Sequence, residues 1–392
     1  MSQRLLKRIH ALRDLEALAR QKLPRPLFSY IRNGADDETS LQMNRSAFSD
    51  YVLLPRMLEG VADRQQGIEL FGEQYSSPFG ISPVGLGAMY AYRGDLALMQ
   101  SAQAANIPAV LSGASLIPME EVAKAAPRTW FQAYLPGDAG RVVELVNRIR
   151  NAGFKTLVVT VDLPVMVNPE NYIRNGFSSP LRPSLRLAWD GISRPAWLFG
   201  TFARTLLQHG MPHFENWRAE RGAPILSASV QRDFVARDHL NWQHLRQIRD
   251  LWKGNLVIKG LLRWQDAVIA RDAGVDGIIV SNHGGRQADC AVSPLHVLRE
   301  ICQAVPGMVV MMDGGMRRGS DILKARALGA RCVFAGRPFN YAAAVAGAAG
   351  VRHAIQILHD EVHRNMALLG INALDELDAS FVRHVNSFRA AD

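Results

Sequence analysis

Along this chain the spacing of apolar residues changes at about residue 79. Upstream, "LLKRIHALRDLEALARQKL" places its leucines and isoleucine at helical intervals and leads into "PRPLFSYIRNGADDE", so residues 1 to about 55 are expected to form a helical segment that ends in a loop. Downstream, short β-branched runs alternate with helix-like stretches. Eight such runs occur, at 79–83, 107–111, 129–134, 156–161, 256–260, 277–281, 308–313 and 332–336. Between them, "GRVVELVNRIRNAG" and "GSDILKARALGA" repeat apolar residues at helical spacing and end in glycine, as helices on the outside of a barrel do. Eight strand–helix units predict a closed (β/α)8 TIM barrel over about 79–350, within a single domain spanning 1–392. The rival, an open doubly wound sheet, is disfavoured because no glycine-rich dinucleotide fingerprint follows the first run.

One connection breaks the rhythm. About ninety residues separate the fourth and fifth runs, so an insertion of about 180–215 is expected after strand 4. Its centre, 182–214, mixes Trp189, Trp197, Phe199, Phe202, Leu206 and Leu207 with Arg182, Arg186, Arg194 and Arg204. That mixture suits a segment lying in a membrane interface, and equally a lid packed on the barrel or on a neighbouring subunit. No apolar run reaches transmembrane length.

Composition narrows the class. The chain has 392 residues, 48% hydrophobic and 21% charged, enough for a large core and unlike a disordered chain. Its net charge of +9 fits either attraction to anionic substrates, phosphates or a membrane face, or a solvated basic surface; nucleic acid is not an expected partner. Cys290, Cys302 and Cys332 lack metal-ligand spacing and no secretory leader opens the chain, so a reducing, cytoplasmic setting and no metal are expected, with peripheral contact on the inner membrane face through 182–214 as an option.

The carboxyl ends of the runs are polar: Ser82, Ser112, Gln132 and Tyr134, Thr160 and Asp162, Lys259, Ser281 and His283, Asp313, Gly336 and Arg337. In a barrel these positions line one mouth, where the chemistry of this fold sits. "DGGMRRGSD" (313–321) and "AGRP" (335–338) place Gly314, Gly315 and Arg317, and Gly336 and Arg337, after the last two strands. Backbone N–H groups there can approach a phosphate that the arginines neutralise, although tight turns also use paired glycines. Ser112, Gln132, Thr160 and Lys259 are placed to hydrogen-bond a cofactor ring, and a lysine there stabilises an electron-rich ring; a plain ion pair is the alternative for Lys259.

"SNHGGRQ", "DGGMRRGSDILKARALGA" and "AGRP" resemble the FMN-dependent 2-hydroxy acid dehydrogenase and oxidase family, which includes glycolate oxidase, flavocytochrome lactate dehydrogenase and mandelate dehydrogenase. The likeness runs from "KLPRPLFSYIRNGADDE" through "WFQAY", "TLVVTVDLP" and "LVIKGLLRWQDA" to "GRPFNYAAAVAGAAGV", nearly the whole chain. "SNHGGRQADCAVSP", Gly85 in "SPVGLG" and the insertion ending "HGMPHFEN" are most similar to the membrane-associated mandelate dehydrogenase branch. The resemblance implies FMN as cofactor, a homotetramer, and cofactor contacts from Pro83, Val84, Gly85, Ser112, Gln132, Thr160, Lys259, Ser281, Asp313, Gly314, Gly315, Arg317, Gly336 and Arg337. Oxidases of the family usually carry alanine where this chain has Gly85, which implies a dehydrogenase passing electrons to a quinone or other carrier. Oxidising an alcohol beside a carbonyl needs a base, and His283 is the expected one. By the resemblance, Asp162 orients and stabilises its imidazole, Arg286 pairs with the substrate carboxylate, and Tyr134 and Tyr30 bind the hydroxyl and carboxylate ends.

The chain departs from the family at one place. The family pattern after the fourth strand is approximately Asn-Arg-Glu, and its arginine clamps the substrate carboxylate a second time; here "VNPEN" puts Pro169 there, and neither Arg174 nor Arg182 sits at the matching position. The substrate is therefore expected to be either a neutral 2-hydroxy ester, amide or lactone, such as L-pantoyl lactone, or a hydroxy acid held by one arginine. A non-redox barrel that binds phosphorylated ligands, and a flavin-binding protein that has lost turnover, complete the alternatives.

Overall fold

The computed structural model describes residues 2–136, 138–165, 170–177, 184–227 and 237–388. All eight predicted strands are present: β1 (Phe79–Ile81), β2 (Val110–Ser112), β3 (Trp130–Ala133), β4 (Thr156–Thr160), β5 (Asn255–Leu261), β6 (Gly277–Val280), β7 (Val309–Asp313) and β8 (Val333–Ala335). Each neighbouring pair from β2 to β8 is parallel, and β8 pairs with β1 through Val333 to Phe79, Phe334 to Gly80 and Ala335 to Ile81. A parallel bridge between Ile81 and Ala109 joins β1 to β2 and completes the ring. The sheet is thus a (β/α)8 barrel.

The strands read as continuous apolar runs because both faces are covered. Every residue of β4 and β6 is buried, one face by the barrel interior and the other by helices. The helix Ala139–Asn151 shows the matching pattern: Val142, Leu145, Val146 and Ile149 are buried along one stripe, and Asp138 caps its start by accepting from Arg141 N at 2.9 Å. Each such fully buried aliphatic side chain contributes about 1.5–3 kcal/mol.

The N-terminal helices Leu12–Lys22 and Arg25–Arg32 are those expected from residues 1–55. They pack on the closing helical run Arg337–Leu369, which is broken at Ala346 and Gly347. The segment also reaches across the barrel mouth. Ala35 N donates to Gly285 O at 2.9 Å, and Ser40 Oγ lies 2.7 Å from both Asp289 O and Ala291 O, between which its single hydrogen is shared. Asn44 and Asn282 exchange side-chain hydrogen bonds of 2.7 and 2.8 Å, both amides being buried. The loop after β6, which carries His283, is therefore clamped by chain from the far N-terminus.

The long β4–β5 connection contains Leu185–Ile192, then a continuous helical stretch from Pro195 to His209 with a π-helical centre, and finally Trp242–Leu251 in the place of the fourth barrel helix. Among the described residues, no helix is long and apolar enough to cross a membrane. Pro169 and Arg182 lie outside the described residues.

Asn44→Ala leaves the buried amide of Asn282 short of its partner. It should lower the unfolding free energy by about 1–3 kcal/mol, read as an earlier midpoint in urea at unchanged slope. A midpoint within error of the parent would show that the clamp contributes nothing.

Candidate active site

The β6 loop leaves the barrel in an unusual conformation. His283 has φ +56°, followed by Gly284 at +66° and Gly285 at +73°. Glycine tolerates this region freely, but histidine does not, so the turn holds His283 at some cost in strain, as functional positions often do. Its backbone N–H donates to Ser281 Oγ at 2.9 Å, which fixes the turn.

The imidazole is then oriented from β4. His283 Nδ1 lies 2.9 Å from Asp162 Oδ1, so Nδ1 carries the proton toward the carboxylate and Nε2 is left as the basic nitrogen. Asp162 can come this close because β5 bulges between Lys259 and Leu261: Gly260 has φ +112°, and a Cβ there would stand 2.7 Å from Asp162 Cβ. Burial pushes the Asp162 carboxyl up, but the charge and hydrogen bond of His283, with Lys259 beyond, outweigh it and hold the group below the ordinary carboxylate range.

Nε2 faces the Tyr134 hydroxyl at 3.5 Å, with the two rings nearly parallel. Burial pushes the Tyr134 phenol well up, Asp162 adding to the effect, so it stays protonated and able to donate. Both residues line a cavity of about 130 Å³ at the carboxyl ends of the strands. Tyr30, Pro83, Val84, Gly85, Lys259, Arg286, Asp313, Gly314, Gly315, Arg317, Gly336 and Arg337 share that lining. Ser112, Gln132, Thr160 and Ser281 are buried at strand ends and are not part of that lining; Ser112 Oγ donates to Gln132 Oε1 at 3.1 Å and Lys259 Nζ to Ser281 Oγ at 2.8 Å. Lys259 also pairs with Asp313 at 3.2 Å, both side chains nearly inaccessible.

The cavity is cationic. Arg286 donates to the backbone carbonyls of Tyr30, Ile31 and Asn33, Arg337 to those of Ile31, Gly284 and Asn33, and Arg317 to that of Met316. Partial negative charge on carbonyls offsets a guanidinium only in part. Burial draws Arg337 down to about 10, and repulsion from Arg286 adds to this. An anion bound beside it would favour the charged guanidinium and so oppose both effects.

Sequence reasoning missed several residues here. Tyr90 and Asn340 line the cavity, and Tyr172 joins the expected Tyr30 on Arg286, their ring centres lying 5.5 and 4.7 Å from its Cζ. Arg237, late in the β4–β5 connection, is buried with its Cζ 4.8 Å from the centre of the Tyr134 ring. No local pattern distinguishes Arg237 from its neighbouring arginines; only the return of the connection to the mouth reveals it. The expectation for the insertion also needs correction. Trp197 is buried, donating Nε1–H to Met89 O at 2.8 Å and stacking on Phe202, so it belongs to the core rather than to an exposed face.

The sequence profile of the FMN-dependent dehydrogenases matches residues 19–384. The chain belongs to that family. An L-lactate dehydrogenase of Vibrio cholerae is 38% identical over 378 residues, 94% of this chain and 97% of its own. The (S)-mandelate dehydrogenase of Pseudomonas putida is 35% identical over 380 residues, covering 95% and 93%. Among solved structures, the monotopic membrane protein (S)-mandelate dehydrogenase superposes with a TM-score of 0.88 at 34% identity, over 96% of this chain and all of that one. An arginine-to-leucine variant of mandelate oxidase with 2-hydroxy-phenylacetamide gives 0.78 at 33% identity, over 94% and 97%.

The family's cofactor is FMN, and the residues present suit it. Gln132 Nε2, Thr160 Oγ1 and Asp313 Oδ1, on β3, β4 and β7 toward their carboxyl ends, are buried polar atoms without a protein hydrogen-bond partner among the described residues. Buried polar atoms are costly when unmade, and a flavin ring offers both acceptors and donors at such positions.

Proposed function

We propose that this FMN-dependent dehydrogenase oxidises the hydroxyl of a free 2-hydroxy carboxylate to the 2-oxo acid. The carrying observation is the 2.9 Å bond from His283 Nδ1 to Asp162, which leaves Nε2 basic and turned toward Tyr134. Nε2 takes one proton from the substrate, and the Asp162 carboxylate stabilises the imidazolium so formed. Tyr134 donates to the substrate oxygen. Arg286 and Arg237, with Tyr30, attract the carboxylate end. The cofactor phosphate is held by Gly314, Gly315 and Arg317 on one side and Gly336 and Arg337 on the other, and its ring by Pro83, Val84, Gly85, Ser112, Gln132, Thr160, Lys259 and Ser281. Bound FMN supplies the two-electron acceptor.

Arg237 is what favours an acid over a neutral compound, because it brings a second guanidinium to Tyr134 although the family arginine is replaced by Pro169. The second reading, a neutral amide, ester or lactone, rests on Pro169 and on the similar mandelate oxidase variant that lost an arginine and is described with a 2-hydroxy amide. The ratio of kcat/KM for a 2-hydroxy acid to that for its amide, measured with a dye acceptor, decides between them. The acid should be preferred, and Arg237→Gln should lower the ratio roughly ten- to a hundredfold, the value of one buried charge-assisted pair. A wild-type preference for the amide, unchanged by Arg237→Gln, supports the neutral substrate instead.

The protein is further proposed to sit on a membrane surface. Leu185 (92% exposed), Trp189 (70%) and Ile192 (60%) lie on the helix Leu185–Ile192, and Phe199 (70%) and Leu207 (87%) continue the apolar face. Arg186 and Arg204 are exposed beside them, as in interfacial segments that meet anionic lipid. The structural neighbour described as monotopic supports the same reading. Replacing both Trp189 and Leu207 by serine should weaken sedimentation with phosphatidylglycerol vesicles by roughly tenfold or more, with the barrel intact. If the parent protein stays in the supernatant, the face serves as a lid or subunit contact.

A further inference from the structure

A second cavity, of about 200 Å³, lies between the amphipathic segment and the barrel. Thr205, His209 and Met211 form its outer side, directly after the exposed Phe199 and beside Leu207. Its inner side is Ala88, Leu116, Ile117 and Pro118. Those residues belong to the loops after β1 and β2, whose Gly85, Tyr90 and Ala114 line the catalytic mouth. The connections after β1 and β2 thus contribute residues to both cavities.

The polar lining is balanced in charge. Arg93 pairs with Glu121, and Arg221 Nε pairs with Glu215 Oε1 at 2.9 Å. A phosphate or carboxylate ligand would have to displace a carboxylate from each guanidinium, whereas a neutral ring does not. Hydrogen-bonding groups nevertheless converge there: the His209 ring lies 2.9 Å from the Tyr92 hydroxyl and 3.4 Å from Arg93 Nη1, while the Thr205 hydroxyl is turned to its own helix, donating to Thr201 O at 2.7 Å. Together these suit a flat, neutral, apolar molecule with carbonyl oxygens that accept hydrogen bonds.

We propose that this cavity binds the ring of a quinone drawn from the membrane. The inference rests on the proposed dehydrogenase function, whose net reaction then balances: the 2-hydroxy acid loses two electrons and two protons, and the quinone gains both to become the quinol. Arg93 and His209 hold the ring's carbonyl oxygens, and Ala88, Leu116 and Ile117 pack against its face.

The test uses the detergent-solubilised, FMN-loaded protein and a photoreactive azido-benzoquinone with a decyl tail, mapped by mass spectrometry. Label should fall in peptides containing 88–93, 116–121 or 205–212, and excess decyl-ubiquinone should compete it away. Thr205→Trp, which fills the cavity, should cut the label and raise KM for decyl-ubiquinone, each by roughly tenfold. Turnover with a hydrophilic dye and anaerobic bleaching of the flavin by a 2-hydroxy acid should stay as in the parent. His209→Leu, which removes a hydrogen-bonding group and not space, should raise the same KM and guards against a misfolded tryptophan variant. Label at the mouth, on peptides bearing Tyr134 or His283, overturns the proposal, as does label that neither substitution alters or that decyl-ubiquinone does not displace. Flavin that no 2-hydroxy acid bleaches defeats the dehydrogenase reading separately, since quinone labelling is read without turnover.

Discussion

The hydrogen bond between His283 Nδ1 and Asp162 Oδ1 joins the ends of two strands that are not neighbours in the barrel, and much of the local architecture exists to permit it. The bulge at Gly260 in the intervening strand clears the space into which Asp162 projects. The left-handed turn at His283, Gly284 and Gly285 brings the imidazole back over the mouth. Strain at that turn is offset from outside, by Ser281 below and by Ala35, Ser40 and Asn44 of the N-terminal segment above. A base whose tautomer is fixed this way needs no reorganisation when it takes up a proton, because the counter-charge is already in contact.

Electrostatics around that pair divide the mouth into two regions. On the side of β7 and β8, the half-buried Arg317 and Arg337 donate to carbonyl oxygens, a weaker compensation for their charge than a carboxylate. Toward β3, Tyr134 stands between the base and Arg237, while Arg286 is stacked under Tyr30 and Tyr172. Lys259 and Asp313 form an ion pair between these regions, so the charge presented there is a dipole rather than a bare cation.

The barrel was legible because its signal is repeated: eight apolar runs in sequence leave few other architectures, and each was found within about three residues of its observed bounds. That His283 and the glycines after β7 and β8 would meet at one mouth was legible because strand ends have a fixed place in this fold. Asp162 emerged only through family resemblance, since nothing in "TVDLP" shows that a bulge in the next strand will admit it. Arg237 and the Asn44–Asn282 pair were not legible at all. Both depend on contacts between segments far apart in the chain, and neither residue differs locally from an ordinary solvent-facing one. Trp197 was left open between an interface and packing on the barrel for a related reason: composition marks an aromatic-rich segment but does not say which ring turns inward to Met89.

The central claim is that His283, held by Asp162, is the base. Anaerobic stopped-flow reduction of the flavin by a 2-hydroxy acid tests it most directly, with FMN content measured in parallel. His283→Ala should keep its FMN and slow reduction at least about a hundredfold, the usual cost of losing a positioned general base. Reduction within roughly threefold of the parent, at full FMN occupancy, would contradict the account, since a tenfold change already corresponds to about 1.4 kcal/mol in the barrier.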